Sequence, residues 1–166
     1  MLPCLAMTSE PAISAPSLEL RFRDMSRTDL PEIMAIENIS FPTPWTEAMI
    51  LREFETPHSV HRLAEREARV AGYMISWLTP PEAMIMSLAV HPQLRRQGIG
   101  RALLSDSLKI FHSTGIETVW LEVRLQNLAA QSLYQRFGFR EAYRRHGYYQ
   151  DTGEDAIVMV KKVSPT

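Results

Sequence analysis

The stretch "LAVHPQLRRQGIGRALL" (residues 88–104) runs from an apolar segment through His91-Pro92 and a pair of arginines to Gly98-Ile99-Gly100, then into a second apolar periodicity. That order describes a strand, a turn dense in backbone N–H groups, and a helix start. The first N–H groups of a helix lack intrahelical partners and carry the positive end of its dipole. Glycines let an anion approach them without a Cβ in the way. Arg95, Arg96 and Arg101 add positive charge, so the chemistry on offer is binding of a pyrophosphate. A tight strand-to-helix connection with solvated arginines would use the same glycines, and a lone Gly-x-Gly does not separate the two. Two rival phosphate signatures are excluded. The third glycine of the dinucleotide fingerprint is missing, and there is no Gly-Lys-Ser/Thr P-loop.

A second group of candidates lies in "VWLEVRLQNLAAQSLYQRFG" (residues 119–138). Glu122 interrupts an otherwise apolar strand, and a buried carboxylate is costly unless it is paired or hydrogen-bonded. Its side of the strand meets solvent, or it pairs with Arg124, or it serves as a base. Tyr134 shares a helical stripe with Ala130, Leu133 and Phe137, which suits a core tyrosine. Asn127 suits an N-cap. His58 and His61 have no acidic or cysteine partner at ligand spacing, so surface histidines are expected and a metal site is not. "YRRHGYY" sets Arg144 and Arg145 among tyrosines, a mixture that can suit RNA. The overall charge balance favours a strand beside a substrate instead.

These residues need a scaffold. The chain has 166 residues, 45% hydrophobic and 22% charged, with a formal net charge of −1. That composition suits one compact domain and argues against a protein that coats DNA or an anionic membrane. Cys4 is the single cysteine, which rules out an intrachain disulfide and a cysteine-based zinc site. No apolar run approaches the roughly 18 residues of a membrane span. Residues 1–17, "MLPCLAMTSEPAISAPS", lack the basic start and apolar centre of a secretory signal. They read as a loose tail before a single domain over residues 18–163, in a cytoplasmic protein.

"LELRFRDM" alternates apolar and polar residues as a half-buried strand does. Ile33, Met34, Ile36 and Ile39 mark a helix, which "FPTPW" (residues 41–45) breaks. Thr46 caps a short second helix with Met49, Ile50 and Phe54 on its apolar side. Strands follow over residues 60–65, 69–78 and 83–90. Leu104, Leu108 and Phe111 give a helix face that Gly115 ends. "ETVWLEV" is a strand, and Asn127 to Gly138 bracket a helix. "FREAYRR" and "DAIVMVKK" close the chain as strands. Hairpins sit early and late with helical crossovers between them, so the expectation is a mixed α/β (α+β) fold whose sheet is partly parallel.

The full pattern Arg95-x-x-Gly98-x-Gly100, set after "MSLAV" and before a helix, resembles the acetyl-CoA-binding motif of the GNAT N-acetyltransferases, Gln/Arg-x-x-Gly-x-Gly/Ala. "WLEVRLQNLAAQSLYQRFGF", "ENISFPTPWTE" and "GYYQDTGEDAIVMVKK" resemble the RimI-type members, which acetylate protein N-termini. Together these segments span almost all of residues 18–163 in order. One departure is His146-Gly147 before the paired tyrosines, where a more basic or Asn-containing step is usual. The resemblance implies the GNAT fold, a mostly antiparallel sheet with a splayed parallel strand pair and flanking helices. It also implies acetyl-CoA as co-substrate and no metal. By the same resemblance, Leu88, Ala89 and Val90 offer backbone groups to pantetheine, with a main-chain N–H near Val90 as oxyanion donor. Arg95, Arg96, Gln97, Gly98, Ile99, Gly100 and Arg101 surround the pyrophosphate, and Asn127 touches the pantetheine arm. Glu122 matches the general base and Tyr134 the acid that protonates the departing thiolate. Phe41, Trp45, Tyr148 and Tyr149 flank the acceptor.

The implied acceptor is a protein N-terminus, most closely the N-terminal alanine of a small-subunit ribosomal protein. Direct contact with nucleic acid or membrane is not expected, and the chain should be a monomer or weak dimer. Magnitudes fit an α-amine. Its reference pKa is about 7.7–8.0 against about 10.4 for lysine, so about a tenth is already neutral at pH 7. Two other functions compete: the same fold acting on a lysine, polyamine or drug amine, and a non-catalytic acyl-CoA-binding or RNA-associated module.

Overall fold

The computed structural model describes residues 19–163; the expected tail over residues 1–17, Cys4 included, lies outside them. β1 (Arg21–Asp24) leads through a single 3-10 turn into α1 (Leu30–Ser40), and α2 (Glu47–Glu53) follows. Arg23 grips Asp29 through both terminal nitrogens, each at 2.8 Å, and so ties β1 to the start of α1. That guanidinium is the main reason the Asp29 carboxyl is pulled down to about 2. Pro31 occupies the first turn of α1, where its missing N–H leaves no bond unmade.

Three strands follow as a meander: β2 (Ser59–Arg66), β3 (Arg69–Thr79) and β4 (Glu82–Val90). The chain then crosses through α3 (Ile99–Ser113) to β5 (Thr118–Arg124), and through α4 (Leu128–Arg136) to a final hairpin, β6 (Arg140–Tyr149) and β7 (Glu154–Lys162). The caps expected from the sequence are in use. Thr46 Oγ1 accepts the Met49 N–H at 3.3 Å, and Asn127 Oδ1 accepts the Ala130 N–H at 3.1 Å.

Seven strands make one sheet in the order β1-β2-β3-β4-β5-β7-β6. Every neighbouring pair is antiparallel except β4 with β5. The expected mixed sheet with one parallel pair and flanking helices is what the chain forms. Two apolar clusters divide it by face. Ile99, Leu103, Leu104 and Phe111 of α3 and Tyr134 of α4 pack on one side with Val119, Leu121 and Val123. Ile33 and Ile36 of α1 and Ile50 of α2 pack on the other with Leu63, Tyr73 and Ile75. Alternation along β5 therefore turns Trp120, Glu122 and Arg124 toward the α1–α2 side.

Some sequence expectations need correction. Ile39 and Met49 face outward, at 66% and 47% exposure, although both were grouped with apolar helix positions. The last turn of α1 instead buries Glu37, which has its own partners. The strand expected to end at Arg145 continues to Tyr149, because an irregularity between Arg145 and Tyr149 absorbs extra residues and lets pairing with β7 resume. Among the described residues, no helix is long and apolar enough to cross a membrane.

Candidate functional site

β4 and β5 pair only over Glu82–Ile85 and Thr118–Leu121. Beyond Ile85, β4 keeps its bonds to β3 and β5 its bonds to β7, so the sheet opens between them. The register of β3 against β4 skips Met86, a bulge set at the mouth of the opening. A bulge bends its strand and adds twist, which is what separating two parallel neighbours requires. β3 and β4 in turn approach so closely that a Cβ on Gly72 would lie 2.7 Å from the Ala89 carbonyl oxygen.

The opening is a cleft of about 420 Å³. Leu121, Val123, Asn127, Ala130 and Tyr134 line it on the α4 side, and Phe41, Pro42, Thr43 and Trp45 on the side of the α1–α2 loop. The edge of β4 from Met86 to Leu88 runs along it. A smaller space of about 220 Å³ adjoins Glu122 and is walled by Trp45, Met84, Met86, Tyr148 and Tyr149. The two spaces share Trp45, Glu122 and Tyr149 as lining and so adjoin at the carboxylate.

The glycine turn lies at the far end of β4. Arg96 and Gly98 both have positive φ, +65° and +78°, and Gly98 is the N-cap of α3. The first intrahelical bond is donated by the Ala102 N–H to Gly98 at 2.9 Å, which leaves the preceding N–H groups at the helix start without helical partners. Successive N–H groups around left-handed residues form an anion-binding concavity. Nothing lies within 4 Å of where a Gly98 Cβ would stand, so the space over the turn is open. Arg96 and Arg101 are exposed there, and no ion pair neutralises them among the described residues. Ile99 anchors the helix from beneath at 1% exposure.

Not every arginine of the motif points outward. Arg95 turns back, donating from Nε to the Val90 carbonyl at 3.1 Å and from Nη2 to Ser40 Oγ at 2.8 Å. Gln97 accepts from Arg66 Nη1 at 2.6 Å. The donor set, two free cations over unpaired helix N–H groups beside an open strand edge, fits a nucleotide pyrophosphate with an extended arm.

Glu122 sits on the opposite side of the opening, largely covered. Its expected alternative partner, Arg124, is engaged elsewhere. Arg124 donates to Asp151 at 2.8 Å, to Glu154 at 3.2 Å and to Thr43 at 3.3 Å, with its guanidinium 3.8 Å over the Tyr149 ring. It thus fastens the α1–α2 loop to the β6–β7 turn. Glu122 instead accepts from Arg145 Nη1 at 2.6 Å. The Tyr148 phenol is pushed up by its hydrogen bond to Glu122 and then by burial. Burial pushes Tyr149 up to about 12, against the opposing charge of Arg124.

Tyr134 is buried at the cleft wall, edge-on to Phe139 at 5.7 Å between ring centroids. Burial, and then the neighbouring Tyr149, push its phenol well above the ordinary range.

Of the residues singled out from sequence, Phe41, Trp45, Leu88, Glu122, Asn127, Tyr134 and Tyr149 line one cleft, and Tyr148 joins them at the adjoining space. The turn residues 95–101 lie beyond its walls, and Ala89 is buried on the α1 side. Two supporting residues escape the sequence reading, Glu37 and Arg124 in its loop-fastening role; the sequence places Arg145 in a strand beside a substrate but does not show its pairing with Glu122. Glu37 accepts from the Trp45 N–H at 2.8 Å and from the Tyr73 hydroxyl, while burial pushes its carboxyl up. A glutamate between Ile33 and Ile36 and the "FPTPW" break was the available signal. His61 and His58 stay away from the cleft, the first against Ser59 and Phe54, the second edge-on to Trp77.

Residues 30–139 match the model of the acetyltransferase (GNAT) family. The chain is 36% identical over 142 residues to the [ribosomal protein bS18]-alanine N-acetyltransferase of Escherichia coli K12, covering 84% of this chain and 95% of that protein. The crystal structure of the ribosomal-protein-S18-alanine N-acetyltransferase from Escherichia coli superposes with a TM-score of 0.82 at 34% identity, over 88% of this chain and 95% of that one. The structure of Ard1 from Thermoplasma volcanium gives a TM-score of 0.81 at 26% identity, over 87% and 98%. With the cleft, the turn and these matches agreeing along most of its length, the chain belongs to the GNAT family of acetyltransferases, whose acetyl donor is acetyl-CoA.

Proposed function

We propose that the protein transfers the acetyl group of acetyl-CoA to the α-amine of a protein N-terminus, and that its acceptor is the N-terminal alanine of a small-subunit ribosomal protein in the cytoplasm. The observation that carries this reading is similarity to the Escherichia coli bS18-alanine enzyme over nearly the whole of both chains. The acceptor side of the cleft agrees with it. Prolines stiffen the loop over residues 41–45, and Trp45, Tyr148 and Tyr149 offer flat apolar walls with polar tips, a groove suited to an extended peptide.

In this reading Gly98 and its neighbours bind the pyrophosphate of acetyl-CoA, with Arg96 and Arg101 supplying charge. The edge of β4 and Asn127 hold the pantetheine arm. Bound acetyl-CoA brings the acetyl group as a thioester. Glu122 takes the proton of the attacking amine, directly or through water, and Tyr134 gives its proton to the sulfur as the C–S bond breaks. A phenol held so far above the ordinary range donates only in concert with that cleavage, then recovers its proton from solvent.

Three tests follow from these assignments. Gly98→Val forces a β-branched residue into a left-handed backbone and should lower CoA affinity about tenfold or more, with helical circular dichroism retained. Gly100→Ala, whose Cβ would meet Val90 and Leu133 at ordinary distances of 3.5 and 3.7 Å, should bind CoA nearly as well as the parent. Calorimetry that ranks the two variants in reverse contradicts the turn assignment.

Glu122→Gln should lower turnover by about 10²–10⁴-fold at neutral pH and recover in part as pH rises through about 8, where the acceptor amine loses its own proton. Tyr134→Phe should lose rate without that recovery. A variant that keeps the parent rate at saturating acetyl-CoA shows its residue to be structural. The acceptor is tested with a peptide that begins with free alanine and carries a lysine inside. Mass spectrometry should find the acetyl group on the α-nitrogen, and blocking the terminus should abolish the reaction. Equal acetylation of the blocked peptide moves the protein to lysine chemistry.

A further inference from the structure

Glu122 already holds a cation on one of its carboxylate oxygens. Arg145 Nη1 lies 2.6 Å from its Oε1, with Glu122 15% and Arg145 46% exposed at the side chain. The same guanidinium stacks 4.0 Å over Tyr148, and Tyr148 stands edge-on to Tyr149 at 5.1 Å. Arg145, in register with Ala156, is the last residue of β6 before its pairing with β7 is interrupted. The extra step, His146-Gly147, is pinned on one carboxylate of β7. His146 Nδ1 and the Gly147 N–H lie 2.9 Å from the two oxygens of Asp155, and Gly147 has a φ of +58°. Among the described residues Arg145 is the one cation paired with Glu122, since Arg124 is spent on Asp151 and Glu154.

An α-amine near neutral pH is mostly ammonium, with a pKa of about 7.7–8.0. Two cations cannot share one carboxylate oxygen at hydrogen-bond distance without strong repulsion. We propose that Arg145 is a specificity-determining positioning residue: the acceptor's α-ammonium enters by displacing its guanidinium from Glu122, one cation for another. A blocked N-terminus brings no cation, leaves the Arg145–Glu122 pair intact and is refused at the base. The inference rests on the reading of Glu122 as the residue that receives the amine.

The test measures binding without acetyl-CoA, by calorimetry, of an alanine-led peptide with a free terminus and of the same peptide N-acetylated. Arg145→Gln removes the resident cation but keeps a polar stem. It should bind the free peptide about threefold more tightly, the scale of a partly exposed ion pair, and the acetylated peptide with unchanged affinity. Arg145→Lys restores a cation and should return the parent preference. Methylguanidinium should compete with the free peptide in Arg145→Gln and hardly at all in the parent. The proposal is overturned if the free peptide does not gain on the acetylated one in Arg145→Gln, whether both shift together or neither moves. Full turnover by Glu122→Gln would remove the base assignment instead, and the binding comparison reads separately from it.

Discussion

The parting of β4 from β5 after Ile85 and Leu121 is the constraint on which the rest of the site depends. A sheet whose neighbours stayed paired would leave no path between its faces. Here the bulge at Met86 turns β4 away while each strand keeps its outer partner. This parting frees the edge of β4 and sets Glu122 at the opening, one residue past the last pair. The larger cleft and the smaller space beside Glu122 become two parts of one gap.

Polar side chains then hold the walls of that gap in place. Arg95 joins the end of β4, through the Val90 carbonyl, to the last residue of α1. Glu37 fixes the start of α2's approach by taking the Trp45 N–H from a buried position. Arg124 gathers Thr43, Asp151 and Glu154 and backs Tyr149. The bonds of Arg95 to Ser40 and of Arg124 to Thr43, Asp151 and Glu154 cross between segments far apart in sequence, and every bond of the set is well covered or charge-assisted, conditions in which a hydrogen bond contributes most. The loops around the acceptor are thereby part of the scaffold.

The periodic elements were legible in the chain because local pattern determines them. The alternation in "LELRFRDM", the caps at Thr46 and Asn127, and the glycine before α3 all work within a few residues. Glu122 was visible as a charge in an apolar strand, and the structure supplies the reason: β5 buries Val119, Leu121 and Val123 on one face only. Long-range choices were hidden. Nothing near Arg124 states that it prefers Asp151 to Glu122, and nothing near Arg145 states that it reaches Glu122, 23 residues away. Ile39 and Met49 matched a helical period but fell on its outward edge, where the narrow buried stripe of a short helix ends.

The central claim is that one gap holds acetyl-CoA and an α-amine at once, with the acetyl carbon between them. It is tested most directly by a conjugate that joins CoA through an acetyl bridge to the α-nitrogen of an alanine-led peptide. The account predicts that this conjugate binds far more tightly than CoA or the peptide alone, and more tightly than an isomer joined through a lysine side chain. A conjugate no tighter than CoA, or equal affinity for the two isomers, would contradict it.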